Sequence, residues 1–109
     1  IYGGDQDDTL HGNDNDDVLL GNLGNDTVYG DDGVDTIYGG DGNDSLYGGN
    51  GNDTIYGGIG LIDTDATQND DLIHGGAGND SLYGTGGNDT INGETGNDII
   101  LGGLGNDLL

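Results

Sequence analysis

The 109-residue sequence has no lysine and no arginine, although 22 of its residues are aspartate or glutamate and its formal net charge is −22. Without basic side chains it has no surface that would attract nucleic acid or anionic lipid. Two carboxylates about 4 Å apart repel by about 1 kcal/mol in water and by about 4 kcal/mol at the effective dielectric of a protein surface. A compact form of this chain must therefore bind positive charge from outside, and metal cations are the obvious source.

Cysteine is also absent, which excludes disulfides and thiolate metal sites and agrees with an extracellular bacterial protein. The sequence has no run of 18 apolar residues, so we expect no membrane insertion. Proline, methionine, phenylalanine and tryptophan are missing, apolar residues make up only 29%, and 27 residues are glycine. This composition is typical of disordered chains, so any ordered structure has to be argued from the pattern of residues.

A nine-residue frame that starts at Gly3 runs through the whole chain. Its first position is glycine in eleven of twelve units, its sixth is aspartate in eleven, and its eighth is aliphatic in eleven. The sixth-position aspartates are Asp8, Asp17, Asp26, Asp35, Asp44, Asp53, Asp71, Asp80, Asp89, Asp98 and Asp107. Such a fixed phase is the sequence signature of a repeat architecture.

Each unit combines a glycine-rich turn with a very short β-prone segment such as Thr54-Ile55-Tyr56. A three-residue strand alternates outward, inward and outward, so the eighth-position aliphatic residue points inward. One buried residue per unit makes a core only if successive units stack. The pattern predicts an all-β fold in which two nine-residue units form each rung of a flattened coil with two parallel sheets.

In this coil, aspartates two units apart lie in adjacent rungs and form two columns, one along each edge. Asp8, Asp26 and Asp44 begin the first column, and Asp17 and Asp35 begin the second. Stacked carboxylates require a cation between them, and tight glycine turns direct backbone carbonyls into the same gaps. An oxygen-only ligand set of this kind favours Ca²⁺ over Mg²⁺ or Zn²⁺.

The unit Gly39-Gly40-Asp41-Gly42-Asn43-Asp44-Ser45-Leu46-Tyr47 matches the consensus G-G-x-G-x-D-x-U-x throughout, as do Gly48 to Tyr56 and GGAGNDSLY from Gly75 to Tyr83. In these motifs the chain resembles the RTX (repeats-in-toxin) nonapeptide-repeat, hemolysin-type calcium-binding family over essentially all of its length. The resemblance implies a right-handed parallel β-roll in which the sixth-position aspartates bridge Ca²⁺ ions. It also implies that carbonyls of Gly39, Gly40, Gly42, Gly48, Gly49 and Gly51 complete the shells around Asp44 and Asp53.

The first units depart from this pattern. Gln6 and Asn15 replace the glycine of the fourth position, and Val34 replaces the usual Asn or Asp of the fifth. Asparagine tolerates a positive φ better than glutamine does. We therefore expect the first two turns to be less regular or to bind Ca²⁺ more weakly.

The repeat is interrupted in residues 57–74, which read GGIGLIDTDATQNDDLIH. The segment is two repeat lengths long, so the frame continues after it, but Ile62 replaces the sixth-position aspartate and Thr64 replaces the eighth-position aliphatic residue. Either the chain makes one degenerate rung, or residues 61–69 leave the coil as an inserted loop, which we favour. The loop joins both columns without gaps and gives nine aspartate pairs, whereas the degenerate rung gives eight. Nine Ca²⁺ ions would bring the formal charge from −22 to −4, and eight would bring it to −6.

The remaining polar residues give weaker signals. His11 and His74, without a cysteine or a third histidine, are expected to be surface residues. The carboxylates recur evenly and no unit differs as an active site would, so we expect no enzyme activity from this segment. Ninth-position tyrosines such as Tyr47 and Tyr56 would form exposed ladders, which either stabilise the sheets or bind sugar polymers.

We therefore expect residues 1–109 to be a single β-roll segment of a larger protein or polymer. The expected function is a rod, spacer or secretion and folding module of a secreted bacterial protein, which folds on binding about eight or nine Ca²⁺ ions. Two alternatives stay open. One is a carbohydrate-binding or adhesive module, fused to a catalytic or adhesin domain. The other is a self-assembling extracellular filament unit that binds further copies of itself.

Overall fold

The structure of the protein is a computed structural model that describes residues 1–58 and 69–109. In this part of the chain every regular element is a β-strand, and no helix is long and apolar enough to cross a bilayer. The eleven strands are β1 (Tyr2–Gly4), β2 (Thr9–His11), β3 (Val18–Leu23), β4 (Thr27–Asp32), β5 (Thr36–Asp41), β6 (Ser45–Asn50), β7 (Thr54–Tyr56), β8 (Leu72–Ala77), β9 (Ser81–Gly86), β10 (Thr90–Thr95) and β11 (Ile99–Leu104).

Alternate strands belong to opposite sheets. The odd-numbered strands form a six-stranded sheet in the order β1-β3-β5-β7-β9-β11, and the even-numbered strands form a five-stranded sheet in the order β10-β8-β6-β4-β2. Every pairing between strands is parallel. The two-sheet β-solenoid predicted from the nine-residue period is therefore confirmed.

The register sets the rung length. Val18 pairs with Thr36 and Thr27 pairs with Ser45, and each partner lies two repeat units further along the chain. From β6 to β8 and from β7 to β9 the partners are three units apart, as in the pairing of Ser45 with Leu72. Nine more residues therefore separate the paired positions at this step than at the other steps. An inserted loop of nine residues would account for this difference. The segment assigned to that loop, 61–69, lies outside the described residues apart from position 69, so the loop itself stays a prediction.

The core is a single file of eighth-position side chains between the two sheets. Seven of them are fully inaccessible to solvent, and Leu10 and Ile91 at the two ends are 8% and 3% exposed. The buried side chains are Leu10, Leu19, Val28, Ile37, Leu46, Ile55, Ile73, Leu82 and Ile91. The seven inaccessible side chains lie on strands with a neighbouring strand on both sides, so the apolar contribution to stability depends on stacking.

The glycine-rich turns allow the rungs to approach closely. Gly51 has φ +135°, and a Cβ placed on it would lie 1.6 Å from the carbonyl oxygen of Gly33 in the preceding rung. Only glycine adopts this conformation in so small a space. The glycines therefore permit the rung spacing at which successive aspartates of each column come into contact.

A ladder of fifth-position side chains also connects the turns. The backbone NH of Asn43 donates to Oδ1 of Asn25 at 2.8 Å, and the NH of Asp70 donates to Oδ1 of Asn43 at 3.0 Å. Along the other edge, Val34 donates its NH to Oδ1 of Asp16 at 2.9 Å. The valine side chain has no acceptor to offer to the next rung, so this ladder is interrupted there.

Replacing Val34 by asparagine should restore the missing acceptor. We expect Val34→Asn to raise the free energy of unfolding by about 1 kcal/mol, the net value of one hydrogen bond, in urea denaturation with saturating Ca²⁺. Val34→Ala is the matched control, because it removes the same exposed valine without adding an acceptor. Equal free energies of unfolding for the two variants would contradict a stabilising role for the fifth-position hydrogen bonds.

Candidate metal centre

The structure brings all eleven predicted aspartates into two columns. In the first column the backbone NH of each aspartate donates to Oδ1 of the next, 2.8–3.0 Å away, through Asp8, Asp26, Asp44, Asp71, Asp89 and Asp107. The second column repeats this contact at 2.8–3.0 Å through Asp17, Asp35, Asp53, Asp80 and Asp98. Both columns continue across the longer, three-unit step, where Asp44 contacts Asp71 and Asp53 contacts Asp80.

The columns are buried in their middle sections. Asp26, Asp35, Asp44, Asp53, Asp71, Asp80 and Asp89 are only 1–3% exposed. The aspartates at the column ends, Asp8, Asp17, Asp98 and Asp107, are half-buried. An aspartate with a rung on each side is thus removed from water almost completely, although nothing of opposite charge in the sequence can pair with it.

The second carboxylate oxygen of these side chains lacks a partner. Among the described residues, Oδ2 is buried without a hydrogen bond in Asp26, Asp35, Asp44, Asp53, Asp71 and Asp80. A buried polar group without a hydrogen bond costs about 1–3 kcal/mol, and a charged group costs more. Each Oδ1 is stabilised by a backbone NH, so Oδ2 is the atom that needs a cation.

First-position carbonyls face these unpartnered oxygens. A Cβ placed on Gly39 would lie 2.3 Å from Oδ2 of Asp44 and 2.4 Å from the carbonyl oxygen of Gly57, so both oxygens border one small space that only glycine leaves open. The same contact recurs in the preceding rung. The carbonyl oxygen of Gly39 lies beside Gly21 and Oδ2 of Asp26, and the carbonyl oxygen of Gly48 lies beside Gly30 and Oδ2 of Asp35.

The carbonyls that complete each shell stay a prediction. In the structure the carbonyl oxygens of Gly39 and Gly48 border the Oδ2 atoms of Asp26 and Asp35 in the preceding rung. The physical reason is that first-position carbonyls point backwards along the coil axis. Asp53 has the carbonyl of Gly75 in this role.

Carbonyls of the second and fourth positions point the opposite way. If Gly76 had a Cβ, that atom would lie 2.2 Å from the carbonyl oxygen of Gly49. A Cβ on Gly78 would lie 1.7 Å from the carbonyl oxygen of Gly51. Both partner glycines belong to the following rung. For Gly40 and Gly42, the following rung includes residues outside the described part. Backbone oxygens thus enter the gaps between rungs from both directions.

The donor set fits a hard cation. No group of three or more His, Cys, Asp or Glu side chains close enough to hold a metal occurs among residues 1–58 and 69–109. A cation in a gap would therefore be bound by one or two carboxylates together with backbone carbonyls. Oxygen ligands in a flexible shell of six or more suit Ca²⁺, whereas Zn²⁺ prefers a tetrahedral set of nitrogen and sulfur ligands.

The pKa values of the column aspartates in the absence of metal also indicate that the buried carboxylates need a bound positive charge. Burial raises the pKa of Asp44 and Asp53 from 3.8 to about 6, with neighbouring aspartates as a smaller cause. Burial raises the pKa of Asp71 to about 9, again with contributions from Asp44 and Asp89. In the absence of a cation, the folded columns bind protons in its place.

The first units are less regular, as the sequence suggests. A Cβ on Gly3 or Gly12 would lie 3.0 or 3.2 Å from Oδ2 of Asp8 or Asp17, whereas the corresponding distances in the later units are 2.1–2.5 Å. Asn15 adopts φ 83°, but Gln6 does not take a positive φ. Weaker Ca²⁺ binding at this end stays a prediction.

Two features of the surface were not predicted in detail. The carboxylates of Asp31 and Glu94 lie 3.1 and 3.0 Å from Nδ1 of His11 and His74. In both pairs the acidic residue occupies a second position with a positive φ, where the consensus has glycine. The only sequence signal for these pairs is that each acidic residue lies twenty residues after its histidine.

The outward tyrosines form closely stacked columns. The ring centroids of Tyr38, Tyr56 and Tyr83 are spaced 5.0 and 4.9 Å apart.

The raised pKa values determine how the metal-free coil responds to pH. The folded aspartates have pKa values above the unfolded value of 3.8, so between about pH 4 and pH 9 the folded state binds more protons. Stability without metal should therefore fall as pH rises through this range. In metal-free buffer we expect circular dichroism to show more β-structure at pH 5 than at pH 8.

Saturating Ca²⁺ at pH 8 provides the control, because bound ions should replace the protons and restore the β signal. A metal-free coil that is more stable at pH 8 than at pH 5 would contradict the electrostatic account of the columns.

Comparison with known proteins agrees with this geometry. The family model of the RTX calcium-binding nonapeptide repeat matches residues 1–28, 29–60, 65–100 and 74–109. No curated protein and no solved structure matches the chain. The four matches extend across nearly the whole chain and include every aspartate of the two columns. The chain therefore belongs to the RTX calcium-binding nonapeptide repeat family and is a calcium-binding structural repeat.

Proposed function

We propose that this repeat is a calcium-dependent folding module of a secreted bacterial protein, in which it serves as a rod or spacer. RTX repeats are typical of secreted bacterial proteins. The observation that carries the proposal is the row of buried Oδ2 atoms without hydrogen bonds in both columns. In a calcium-poor compartment the 22 acidic residues keep the chain expanded and able to pass through a secretion channel.

The column aspartates and the turn carbonyls hold the cations between rungs. Calcium supplies the positive charge that the sequence lacks and neutralises carboxylates that water no longer reaches. Because the ligands come together only in the folded coil, the free energy of binding is also free energy of folding. The nine aspartate pairs suggest nine ions, which would leave a formal charge of −4.

The first test is a calcium titration of the 109-residue chain. We expect a disordered spectrum in chelator and a cooperative gain of β-structure with Ca²⁺ in circular dichroism. Calorimetry and metal analysis should give about nine ions per chain. A spectrum that Ca²⁺ does not change would overturn the proposal, and eight ions would favour the degenerate-rung arrangement.

Two adjacent aspartates provide a sharper test of the columns. Asp71 is buried and its Oδ2 lacks a hydrogen bond, whereas its neighbour Asp70 is exposed and accepts the NH of Asn88 through Oδ1. Asp71→Asn should raise the Ca²⁺ concentration at the folding midpoint by about tenfold or more, since tenfold corresponds to only about 1.4 kcal/mol. It should also lower the number of bound ions.

Asp70→Asn is the matched control, because it removes the same charge and keeps an acceptor oxygen at the same place. We expect its midpoint and stoichiometry to remain near those of the parent. Equal effects of the two substitutions would mean that net charge, and not the column site, controls folding.

The carbohydrate-binding alternative gains no support from the ladders. A sugar packs its CH groups against the open face of an aromatic ring. The rings of Tyr56 and its neighbours Tyr38 and Tyr83 are nearly parallel, at 8° and 11°, and cover one another's faces. Rings that cover one another's faces leave less open ring face for a sugar, so this geometry favours a stabilising role for these tyrosines.

A further inference from the structure

The outward tyrosines of both sheets lie in register on neighbouring strands. Tyr38 pairs with Tyr56 and Tyr56 pairs with Tyr83 on the six-stranded sheet, and Tyr29 pairs with Tyr47 on the five-stranded sheet. Their ring centroids are 4.9–5.0 Å apart, and the ring planes deviate from parallel by only 8–11°. We call these two groups the tyrosine stacks. Because parallel strands in register place like side chains one rung apart, each phenol of a stack lies against another phenol of the same chain.

Residues that are not phenols flank both stacks. On the five-stranded sheet the ring of His11 stacks on Tyr29 at 4.7 Å, and the ring of His74 stacks on Tyr47 at 5.2 Å. On the six-stranded sheet the flanking positions are leucines. The five-stranded sheet therefore holds one pair of phenols, and the six-stranded sheet holds three phenols in a row.

Stacked phenols are suited to oxidative coupling. A one-electron oxidant removes an electron and the O–H proton from a tyrosine and leaves a neutral radical, whose unpaired electron is shared with the ring carbons ortho to the oxygen. Two such radicals form a carbon–carbon bond between ortho carbons, and the ortho hydrogens then move to the phenolic oxygens. The two tyrosines together lose two hydrogen atoms, which one molecule of hydrogen peroxide accepts as it is reduced to two molecules of water.

We propose that the tyrosine stacks are sites of intramolecular dityrosine formation in the calcium-loaded coil, with hydrogen peroxide and a haem peroxidase as the oxidising system. Tyr29 couples to Tyr47, and Tyr56 couples to Tyr38 or to Tyr83. The inference rests on the proposed function, because only the folded coil holds these rings together.

Proximity favours coupling within the chain over coupling between chains. Well-oriented groups of one molecule react as if they were present at concentrations far above those that separate proteins reach in solution. Tyr2 provides the contrast, because it is 75% exposed and its in-register partner is Leu20. Exposure alone would make Tyr2 the most reactive tyrosine, whereas stacking leaves it without a phenol on the neighbouring strand.

The bonds would join rungs of a chain that has no cysteine. A Tyr29–Tyr47 bond closes a loop of two repeat units, and a Tyr56–Tyr83 bond closes a loop of three units across the step between β7 and β8. Like a disulfide, each bond restricts the unfolded chain. The oxidised chain should therefore fold at a lower Ca²⁺ concentration than the untreated chain in circular dichroism, and an unchanged or higher midpoint would overturn this stabilising effect.

Oxidation of the 109-residue chain in saturating Ca²⁺ tests the proposal. With dilute chain, peroxidase and hydrogen peroxide, we expect dityrosine fluorescence from a monomer whose mass has fallen by two hydrogen atoms for each cross-link. Cleavage at aspartate followed by mass spectrometry should show Tyr29 linked to Tyr47, and Tyr56 linked to Tyr38 or Tyr83. In chelator, where the coil is unfolded, this selective pairing should be lost.

Replacing the central phenol of the longer stack gives a sharper test. Tyr56→Phe keeps an aromatic ring in the stack but has no O–H from which a radical forms, and it leaves Tyr38 and Tyr83 two rungs apart. We expect loss of every cross-link on the six-stranded sheet and retention of the cross-link on the five-stranded sheet. Tyr2→Phe is the matched control, since it removes a phenol outside the stacks, and its cross-links should equal those of the parent.

The outcomes separate this proposal from the folding function. A chain that folds with Ca²⁺ but gives no dityrosine, or gives only covalent dimers, overturns the intramolecular sites and leaves the folding function intact. Equal losses in Tyr56→Phe and Tyr2→Phe, or the same linked peptides in chelator as in Ca²⁺, overturn the role of stacking. A chain that Ca²⁺ does not fold overturns both proposals.

Discussion

The structure depends on one electrostatic problem, the burial of aspartate carboxylates in a chain without basic residues. Seven column aspartates are almost completely removed from water, and each would be strongly unfavourable as an isolated anion. Each Oδ1 accepts a backbone NH from the preceding rung, and this contact fixes the direction of the carboxylate. In Asp26, Asp35, Asp44, Asp53, Asp71 and Asp80 the remaining oxygen then has only a cation or a proton as a partner, so the fold and the metal sites cannot be separated.

The other repeat positions serve this arrangement. A Cβ at the first position would collide with Oδ2 of the column, as at Gly39, and a Cβ at the fourth would collide with a carbonyl of the preceding rung, as at Gly51. The single inward aliphatic residue in each unit fills the space between the sheets. The outward positions are free to vary, and there this chain has its own features, such as the acid pairs of His11 and His74.

The sequence predicts the fold and the column residues well because both follow from the nine-residue period. Glycine, aspartate and an aliphatic residue at fixed places allow few other structures, so strand order, register and core could be inferred before the structure was known. The direction of the Gly39 carbonyl could not be inferred, because it depends on backbone dihedrals that no residue type specifies. The Oδ1 contact was missed for the same reason, since a column of carboxylates alone does not show which oxygen the backbone binds.

The interruption between β7 and β8 shows what sets the register. Ser45 pairs with Leu72 at the same repeat position although one more nine-residue unit separates them than in other pairs. Asp44 and Asp71 nevertheless make the same contact as every other neighbouring pair, at 2.9 Å. A longer connection adds little entropy cost, since loop closure grows only slowly with length. Loss of one aspartate contact would instead leave two rungs without a shared site. The pairing of aspartates, more than the length of chain between them, therefore determines which rungs stack.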